Sequence, residues 1–206
     1  MSLIENERYK MISILDRKNK LNEHKNTFSV TYPRTVDIIF GNYPYPDIVH
    51  NLILEIKNNI DSAISNYTNV KGGMTDWNYF ISKKVFIDFI TYLINKHQTT
   101  NPDVFKYFLE KFTIKNAWGN EIKTGDSLNY HSHPVIHGIL YLTEGCDLIL
   151  PELNIKITPQ AGDYYIFPPT IIHGFDKYQG KNNRYSLIFN IAENSKRFDF
   201  DKKLNN

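Results

Sequence analysis

The residues best suited to chemistry in this 206-residue chain are histidines, three of which lie within positions 131–137. On a β-strand, residues two apart point to the same face, so His131 and His133 are predicted to share one side of a strand. His173 offers a third imidazole from a later segment. Two such ligands plus a distant one form a facial set, which six-coordinate iron uses while other positions stay open. The spacing therefore predicts a metal site, and histidines held in a loop or a core are the plainer interpretation.

A charged residue, Arg184, begins the otherwise apolar segment RYSLIFNI. A strand of that composition is expected to be buried, and a buried guanidinium is costly unless it meets an anion. Ser186 lies on the same face and adds a hydroxyl donor. Guanidinium binds a carboxylate through two parallel hydrogen bonds, so this pair predicts a carboxylate-binding site. A salt bridge to an Asp or Glu of the protein itself is the alternative.

The segment VIHGILYL carries two more polar side chains, His137 and Tyr141, which share a face if the segment is a strand. If that face points inward, the Tyr141 hydroxyl joins Arg184 at the same carboxylate. His137 is then either a rival metal ligand or a polar group on the cofactor and substrate side. A tyrosine that only packs in the core has the same spacing.

The elements that would position these side chains change character near residue 112. Upstream, apolar residues recur at three- and four-residue spacing, which predicts helices starting near Asp47, Ser82 and Asn101. Downstream, the apolar period becomes two. The candidate strands there are FTIKNAW, SLNYHSH, VIHGILYL, CDLIL, LNIKI, DYYIFPP, IIHGF and RYSLIFNI.

About eight short strands with no helix between them favour a closed antiparallel fold. The predicted fold class is α+β, with a double-stranded β-helix, a cupin-like jelly roll, as the core and N-terminal helices packed on it. We expect a single domain: residues 1–111 form its N-terminal arm and helical portion, and residues 112–206 form its β core.

Composition narrows the classes of function. The net charge is +2 and the basic residues are scattered among acids, so no nucleic-acid partner is expected. Cys146 is the one cysteine, which excludes an intramolecular disulfide. No run approaches the roughly 20 apolar residues of a membrane span, and no secretory signal is visible. We therefore expect a cytoplasmic protein without a membrane partner, and no signal sets its oligomeric state.

The motifs, taken in order, resemble a known family. They are WGN at 118–120, GD at 125–126, HSHP at 131–134, GILYL at 138–142, GDYYIFPP at 162–169, His173, and RYSLIFN at 184–190. Over roughly residues 112–192, the series is similar to the 2-oxoglutarate- and Fe(II)-dependent oxygenases with an H-x-H-P motif. That branch is itself similar to prolyl 4-hydroxylases.

The resemblance implies a dioxygenase that binds Fe(II) through His131, His133 and His173. It also implies that O2 and the co-substrate 2-oxoglutarate are used to hydroxylate a C–H bond of a peptidyl or small-molecule substrate, with release of succinate and CO2. The wider superfamily has an acid where this chain has His133. A neutral imidazole there leaves the metal centre one unit more positive, which alters its affinity and redox behaviour.

For the co-substrate, the resemblance implies that Arg184, with Ser186 and Tyr141, holds the distal carboxylate of 2-oxoglutarate. Arg184 therefore belongs with the three histidines among the residues on which the reaction depends.

Two other classes of protein fit part of the pattern. A cupin-type dioxygenase or isomerase that does not use 2-oxoglutarate, or a cupin-like metal-binding module, is the first alternative. The residues that match it are Gly125, His131, His133, His137, Gly162, Pro168 and His173. Arg184 discriminates, since cupins have no general need for a buried arginine on the next strand. A non-enzymatic jelly-roll binding module is the second alternative, but a decayed site would be expected to lack some of these residues.

Overall fold

The computed structural model describes residues 11–14, 34–61, 69–98 and 111–193. The helices in this part of the chain are α1, Pro46–Asn58, and α2, Lys84–Gln98. The early strands are β1, Met11–Ile14; β2, Arg34–Asp37; β3, Ile39–Asn42; β4, Val70–Lys71; and β5, Gly73–Met74. The later strands are β6, Phe112–Ile122; β7, Ser127–His131; β8, Ile136–Tyr141; β9, Leu148–Leu150; β10, Ile155–Ile157; β11, Asp163–Phe167; β12, His173–Phe175; and β13, Arg184–Glu193.

Two antiparallel sheets form the core. One has six strands in the order β3-β11-β8-β13-β6-β5, and the other has five in the order β10-β9-β12-β7-β4. Strands β1 and β2 pair separately. From β6 to β13 the chain alternates between the two large sheets, apart from β9 and β10, which pair with each other in the five-stranded sheet. The predicted α+β class with a jelly-roll core is therefore confirmed.

Local patterns predicted most of these elements. Each of the eight candidate strand segments contains one strand, from β6 through β13. The helices predicted near Asp47 and Ser82 begin at Pro46 and Lys84. The helix predicted from Asn101 falls outside the described residues. Neither described helix has the length and apolar character that crossing a bilayer requires.

Residues before position 112 add strands to both large sheets. Strand β3 pairs with β11, β4 with β7, and β5 with β6. Strands β4 and β5 were not predicted from the sequence, because strands of two residues are too short to show a period. These short strands cover the edges of the longer ones, which would otherwise present unpaired backbone groups.

Strand β13 lies at the centre of the six-stranded sheet and is buried on both faces. Its outer side chains, among them Leu187 and Phe189, pack in one cluster with α1 and α2. Its inner side chains, among them Arg184 and Ser186, face the cavity between the sheets. This double burial explains why the strand reads as a nearly continuous apolar run instead of an alternating one.

Helix α1 reaches the six-stranded sheet through a close contact at Gly119 of β6. A Cβ atom at this position would overlap the side chain of Ile56, which is fully buried on α1. The absence of a side chain therefore lets the helix pack directly on the strand that carries Trp118 and Asn120 on its other face.

Candidate metal centre

The cross-strand register brings together histidines that are far apart in the sequence. His131 at the end of β7 pairs with His173 at the start of β12, and their ring centroids are 4.6 Å apart. His133 follows β7, and its Nε2 atom lies 3.1 Å from the Nε2 atom of His131. One candidate ligand atom from each of the three residues lies within 4.8 Å of the others. These three residues are the candidate metal ligands named in the sequence analysis.

The loop between β11 and β12 holds the backbone of His133 through a hydrogen bond. The backbone N–H of Thr170 donates a hydrogen bond to the carbonyl oxygen of His133 at 2.9 Å. Thr170 has a φ of 72°, a conformation that is strained for a β-branched residue. Strained residues of this kind persist where the surrounding structure holds them, and they cluster at functional sites.

Main-chain carbonyls set the tautomers of two of the histidines. Nδ1 of His131 lies 2.7 Å from the carbonyl oxygen of Asn129, and Nδ1 of His173 lies 3.1 Å from that of Ile171. A carbonyl oxygen only accepts hydrogen bonds, so each Nδ1 must carry the proton. Each Nε2 is then left with a free lone pair, the arrangement that metal-binding histidines commonly use.

Burial keeps these imidazoles neutral at physiological pH. It lowers the pKa of His131, and the hydrogen bond to Asn129 opposes that effect only in part. For His133, burial and then the neighbouring His173 and His131 lower the pKa to about 4. Burial likewise lowers the pKa of His173 to about 4. A metal ion would therefore meet deprotonated ligand atoms without strong competition from protons.

The geometry fits a transition-metal ion. Two nitrogens bound at right angles to one ion at about 2.1 Å lie about 3 Å apart, close to the 3.1 Å between the Nε2 atoms of His131 and His133. Imidazole ligands suit iron, nickel, zinc and copper. Three histidine ligands would leave further coordination positions of a six-coordinate ion for other groups.

His137, the rival ligand, does not complete this set. Its ring is stacked on that of His133, with centroids 4.0 Å apart and planes within 10°. An imidazole binds a metal in its ring plane, and one ion cannot lie in two parallel, separated planes. Nδ1 of His137 instead lies 2.8 Å from Oδ1 of Asn190, which in turn donates from Nδ2 to Asn116 at 3.2 Å. His137 thus lines the same cavity as a neighbour of the three candidate ligands.

Arg184 lies in the same cavity and is almost completely buried. It is 3% exposed, its Nε atom has no hydrogen-bond partner, and no ion pair involving it exists in the described residues. Its guanidinium carbon lies 4.5 Å from the ring centroid of Tyr141 and 5.3 Å from that of Phe175. The alternative of a structural salt bridge is therefore not supported by this part of the chain.

Two hydroxyl groups accompany this arginine. Ser186 is directly opposite Tyr141 in the pairing of β13 with β8, and both are buried in the cavity wall. Burial raises the pKa of Tyr141 to about 12 even though the adjacent Arg184 lowers it, so its hydroxyl keeps its proton. Arg184, Ser186 and Tyr141 therefore present a cation and two hydroxyl donors to one end of the cavity.

Sequence reasoning missed two polar residues of this region, Asn120 and Asn190. Asn120 lines the cavity, and Asn190 fixes the ring of His137. Both are buried. The sequence could have indicated both positions. Asn120 shares a strand face with Trp118, and Asn190 shares a strand face with Arg184 and Ser186.

No protein-family model matches the chain, and no curated protein is similar to it in sequence. Solved structures match it by fold. The viral collagen prolyl hydroxylase vCPH from Paramecium Bursaria Chlorella virus-1, in complex with 2OG, is 14% identical with a TM-score of 0.57, and the match covers 75% of this chain and 94% of that one. A Pseudomonas putida prolyl-4-hydroxylase is 15% identical with a TM-score of 0.54, over 77% of this chain and 93% of that one.

A third similar structure is HygX from Streptomyces hygroscopicus with nickel and 2-oxoglutarate bound. It is 10% identical with a TM-score of 0.54, and the match covers 75% of this chain and 82% of HygX. Another HygX structure also holds hygromycin B. At such low identities, these likenesses establish that this chain has the same fold as these proteins.

Proposed function

We propose that this protein is an Fe(II)- and 2-oxoglutarate-dependent dioxygenase that hydroxylates a C–H bond of a peptidyl or small-molecule substrate and releases succinate and CO2. The observation that carries the proposal is the position of Arg184. It is a buried cation that forms no ion pair with any residue in the described part of the chain, and it lies in the same cavity as three histidines whose candidate ligand atoms converge. That combination suits a ligand that has a carboxylate at one end and chelates a metal at the other.

The arginine end of the cavity would bind the distal carboxylate of the co-substrate. A guanidinium in a low-dielectric site is strongly stabilised by an anion, and its planar donors match the two oxygens of a carboxylate. Ser186 and Tyr141 would add hydroxyl donors to the same group. This arrangement holds the co-substrate in one orientation, with its other end toward the histidines.

The histidine end would hold the metal. His131, His133 and His173 would bind it through the nitrogens that face one another. Bound iron supplies the redox chemistry by which O2 is activated with 2-oxoglutarate. With three neutral ligands, the protein contributes no compensating negative charge from these residues, so anionic groups of the co-substrate would bind more strongly there.

The remaining walls would exclude water. Ile139, Phe167 and Ile188 line the cavity between the two polar ends. An apolar wall strengthens electrostatic interactions inside the cavity and protects the reacting groups from solvent. The hydrogen bond from His137 to Asn190 keeps one more polar side chain oriented beside the ligand set.

The two proposed substrate classes, peptidyl and small-molecule, are based on the proteins whose folds are similar. Two of the similar proteins are prolyl hydroxylases, and HygX has been captured with hygromycin B. These names span peptidyl and small-molecule ligands, and fold likeness carries modest weight for specificity. The proposal therefore extends to both classes.

An anaerobic titration with Fe(II) and 2-oxoglutarate tests the proposal. Chelation of Fe(II) by the 2-oxo acid is expected to produce a weak visible metal-to-ligand charge-transfer band that saturates at one co-substrate per chain. Succinate as the added acid, which lacks the 2-oxo group, is the control and should give no band. If iron binds but 2-oxoglutarate produces no band, the cupin-type alternative replaces this proposal.

A further inference from the structure

Three buried polar atoms without hydrogen-bond partners belong to residues that line one cavity. They are Nε1 of Trp118, Oδ1 of Asn120 and Nε of Arg184. Folded proteins pair the large majority of such atoms, so their concentration in one place indicates a ligand that supplies the partners. The proposed function already gives Arg184 a partner, but it leaves Trp118 and Asn120 without one, and Asn120 is the one of these two that lies opposite Ser186.

The sheet register places Asn120 beside the proposed carboxylate site. In the pairing of β13 with β6, Asn120 is directly opposite Ser186, and on the other side Ser186 is directly opposite Tyr141. Directly opposed residues of antiparallel strands have Cβ atoms about 4.5–5.5 Å apart. The three side chains therefore form one polar row across the sheet, next to Arg184.

We infer that Asn120 is a ligand-binding residue whose side-chain amide donates a hydrogen bond to the same carboxylate that Arg184 and Ser186 bind. The inference rests on the proposed function. An amide carries a donor and an acceptor, and it can turn over to exchange them. Turned over, the amide directs its N–H to the carboxylate, while the Ser186 hydroxyl directly opposite it keeps its own proton for the same group.

This role predicts opposite effects on stability and on binding. In the protein without ligand, the unpaired amide is destabilising, because a buried polar atom has lost its water and gained nothing in return. Replacing it with an apolar side chain of similar size, Asn120→Leu, should keep or raise the melting temperature. The same replacement should weaken binding of 2-oxoglutarate by about tenfold to hundredfold, the range for a hydrogen bond to a charged group.

Asn116→Leu is a matched control on the same strand and the same face. The Asn116 side chain accepts a hydrogen bond from Asn190 at 3.2 Å and does not line the cavity. This substitution removes a satisfied hydrogen bond and should therefore lower the melting temperature. Asn120→Asp is a second, nearly isosteric test, in which a new negative charge repels the carboxylate and should weaken binding more than Asn120→Leu does.

The experiment measures the melting temperature without ligand, the Ni(II) affinity, and the dissociation constant of 2-oxoglutarate for the Ni(II)-loaded full chain. Weakened 2-oxoglutarate binding in both Asn120 variants, with unchanged Ni(II) affinity and no loss of stability in Asn120→Leu, supports the inference. Wild-type affinity in either variant overturns it, as does a fall in melting temperature for Asn120→Leu that matches Asn116→Leu. If the wild-type chain itself does not bind 2-oxoglutarate, the proposed function fails and this inference fails with it.

Discussion

At the scale of single residues, the histidines are set for metal binding by their own backbone. His131 and His173 each donate from Nδ1 to a carbonyl oxygen two residues earlier in the chain. Each hydrogen bond holds the ring and directs the Nε2 lone pair away from that carbonyl, toward the other histidines. The shared face of Arg184 and Ser186 was predictable because side chains alternate along a strand. His133 was expected on the same strand as His131, but β7 ends at His131 and His133 lies just after it.

Other residue roles were not predictable in this way. Periodicity shows which face a side chain lies on, but not which ring plane it adopts, so the stacking that separates His137 from the ligand set needed coordinates. Asn120 was missed for a related reason. A polar residue in a strand usually indicates a solvent-facing position, and only the burial of both faces of β6 near Asn120 shows otherwise.

Substituting a residue at each end of the cavity, His173 and Arg184, should affect metal binding and co-substrate binding separately. His173→Ala removes one of three ligands, and we expect it to abolish Ni(II) binding in a calorimetric titration. Arg184→Met removes a buried cation and should leave Ni(II) binding intact while weakening 2-oxoglutarate by at least about 30-fold. Its melting temperature without ligand should not fall, because an uncompensated buried charge is destabilising.

Lys115→Met, at an exposed cation of β6, is the control and should change neither affinity. An equal loss of Ni(II) binding in His173→Ala and Arg184→Met would contradict the separate roles assigned to the two ends.

At the scale of elements, the eight strands from β6 to β13 could be predicted because they lie in short, largely apolar segments that are separated by turn residues. Strands β4 and β5 could not, since each has two residues and forms only against the edges of β7 and β6. The approach of α1 to β6 was also hidden in the sequence. It depends on Gly119, which lies against the Ile56 side chain, and no local sequence pattern predicts a contact between these two residues.

A double-mutant cycle tests the packing of α1 on β6. Gly119→Ala should destabilise the protein by about 1–3 kcal/mol, because the added methyl group overlaps Ile56. Ile56→Ala should cost about 2–5 kcal/mol by leaving a cavity. In the double variant the new methyl group occupies part of that cavity, so the total loss should be at least about 1 kcal/mol smaller than the sum. Urea unfolding measures all three, and strict additivity would contradict the contact.

The contact between α2 and β11 should make stability depend on pH. His97 on α2 is 6% exposed, its Nε2 lies 3.0 Å from the Tyr164 hydroxyl, and burial lowers its pKa from 6.5 to about 4. Below pH 6.5 the unfolded chain binds a proton at this residue that the folded chain does not. Stability is therefore fully present above pH 6.5 and is lost as the pH falls toward 4.

His97→Gln removes this titration and keeps a polar partner for Tyr164. Between pH 7 and pH 5, the wild-type free energy of unfolding should fall by about 2 kcal/mol more than that of the variant. Urea unfolding at both pH values gives the comparison. Parallel losses in the two proteins would show that His97 is protonated in the folded state or exposed to solvent.

At the scale of the whole molecule, the jelly roll places the two ends of the proposed ligand on different sheets. The proposed metal ligands His131 and His173 belong to the five-stranded sheet, and Arg184 belongs to the six-stranded one. A single ligand that contacts both must link the sheets across the cavity. The fold class could be predicted because many short strands without intervening helices have few solutions that protect sheet edges. Side chains from both sheets line one cavity. The spacing of the histidines and Arg184 suggested this arrangement, but it depends on contacts between distant segments and is visible only in the folded structure.

The most direct test of this account is the affinity of 2-oxoglutarate measured by calorimetry with and without Ni(II). If one molecule bridges Arg184 and the metal held by the three histidines, the metal should strengthen 2-oxoglutarate binding by a factor of about 5–150, and 2-oxoglutarate should strengthen metal binding by the same factor. An affinity for 2-oxoglutarate that is identical with and without the metal would contradict the account.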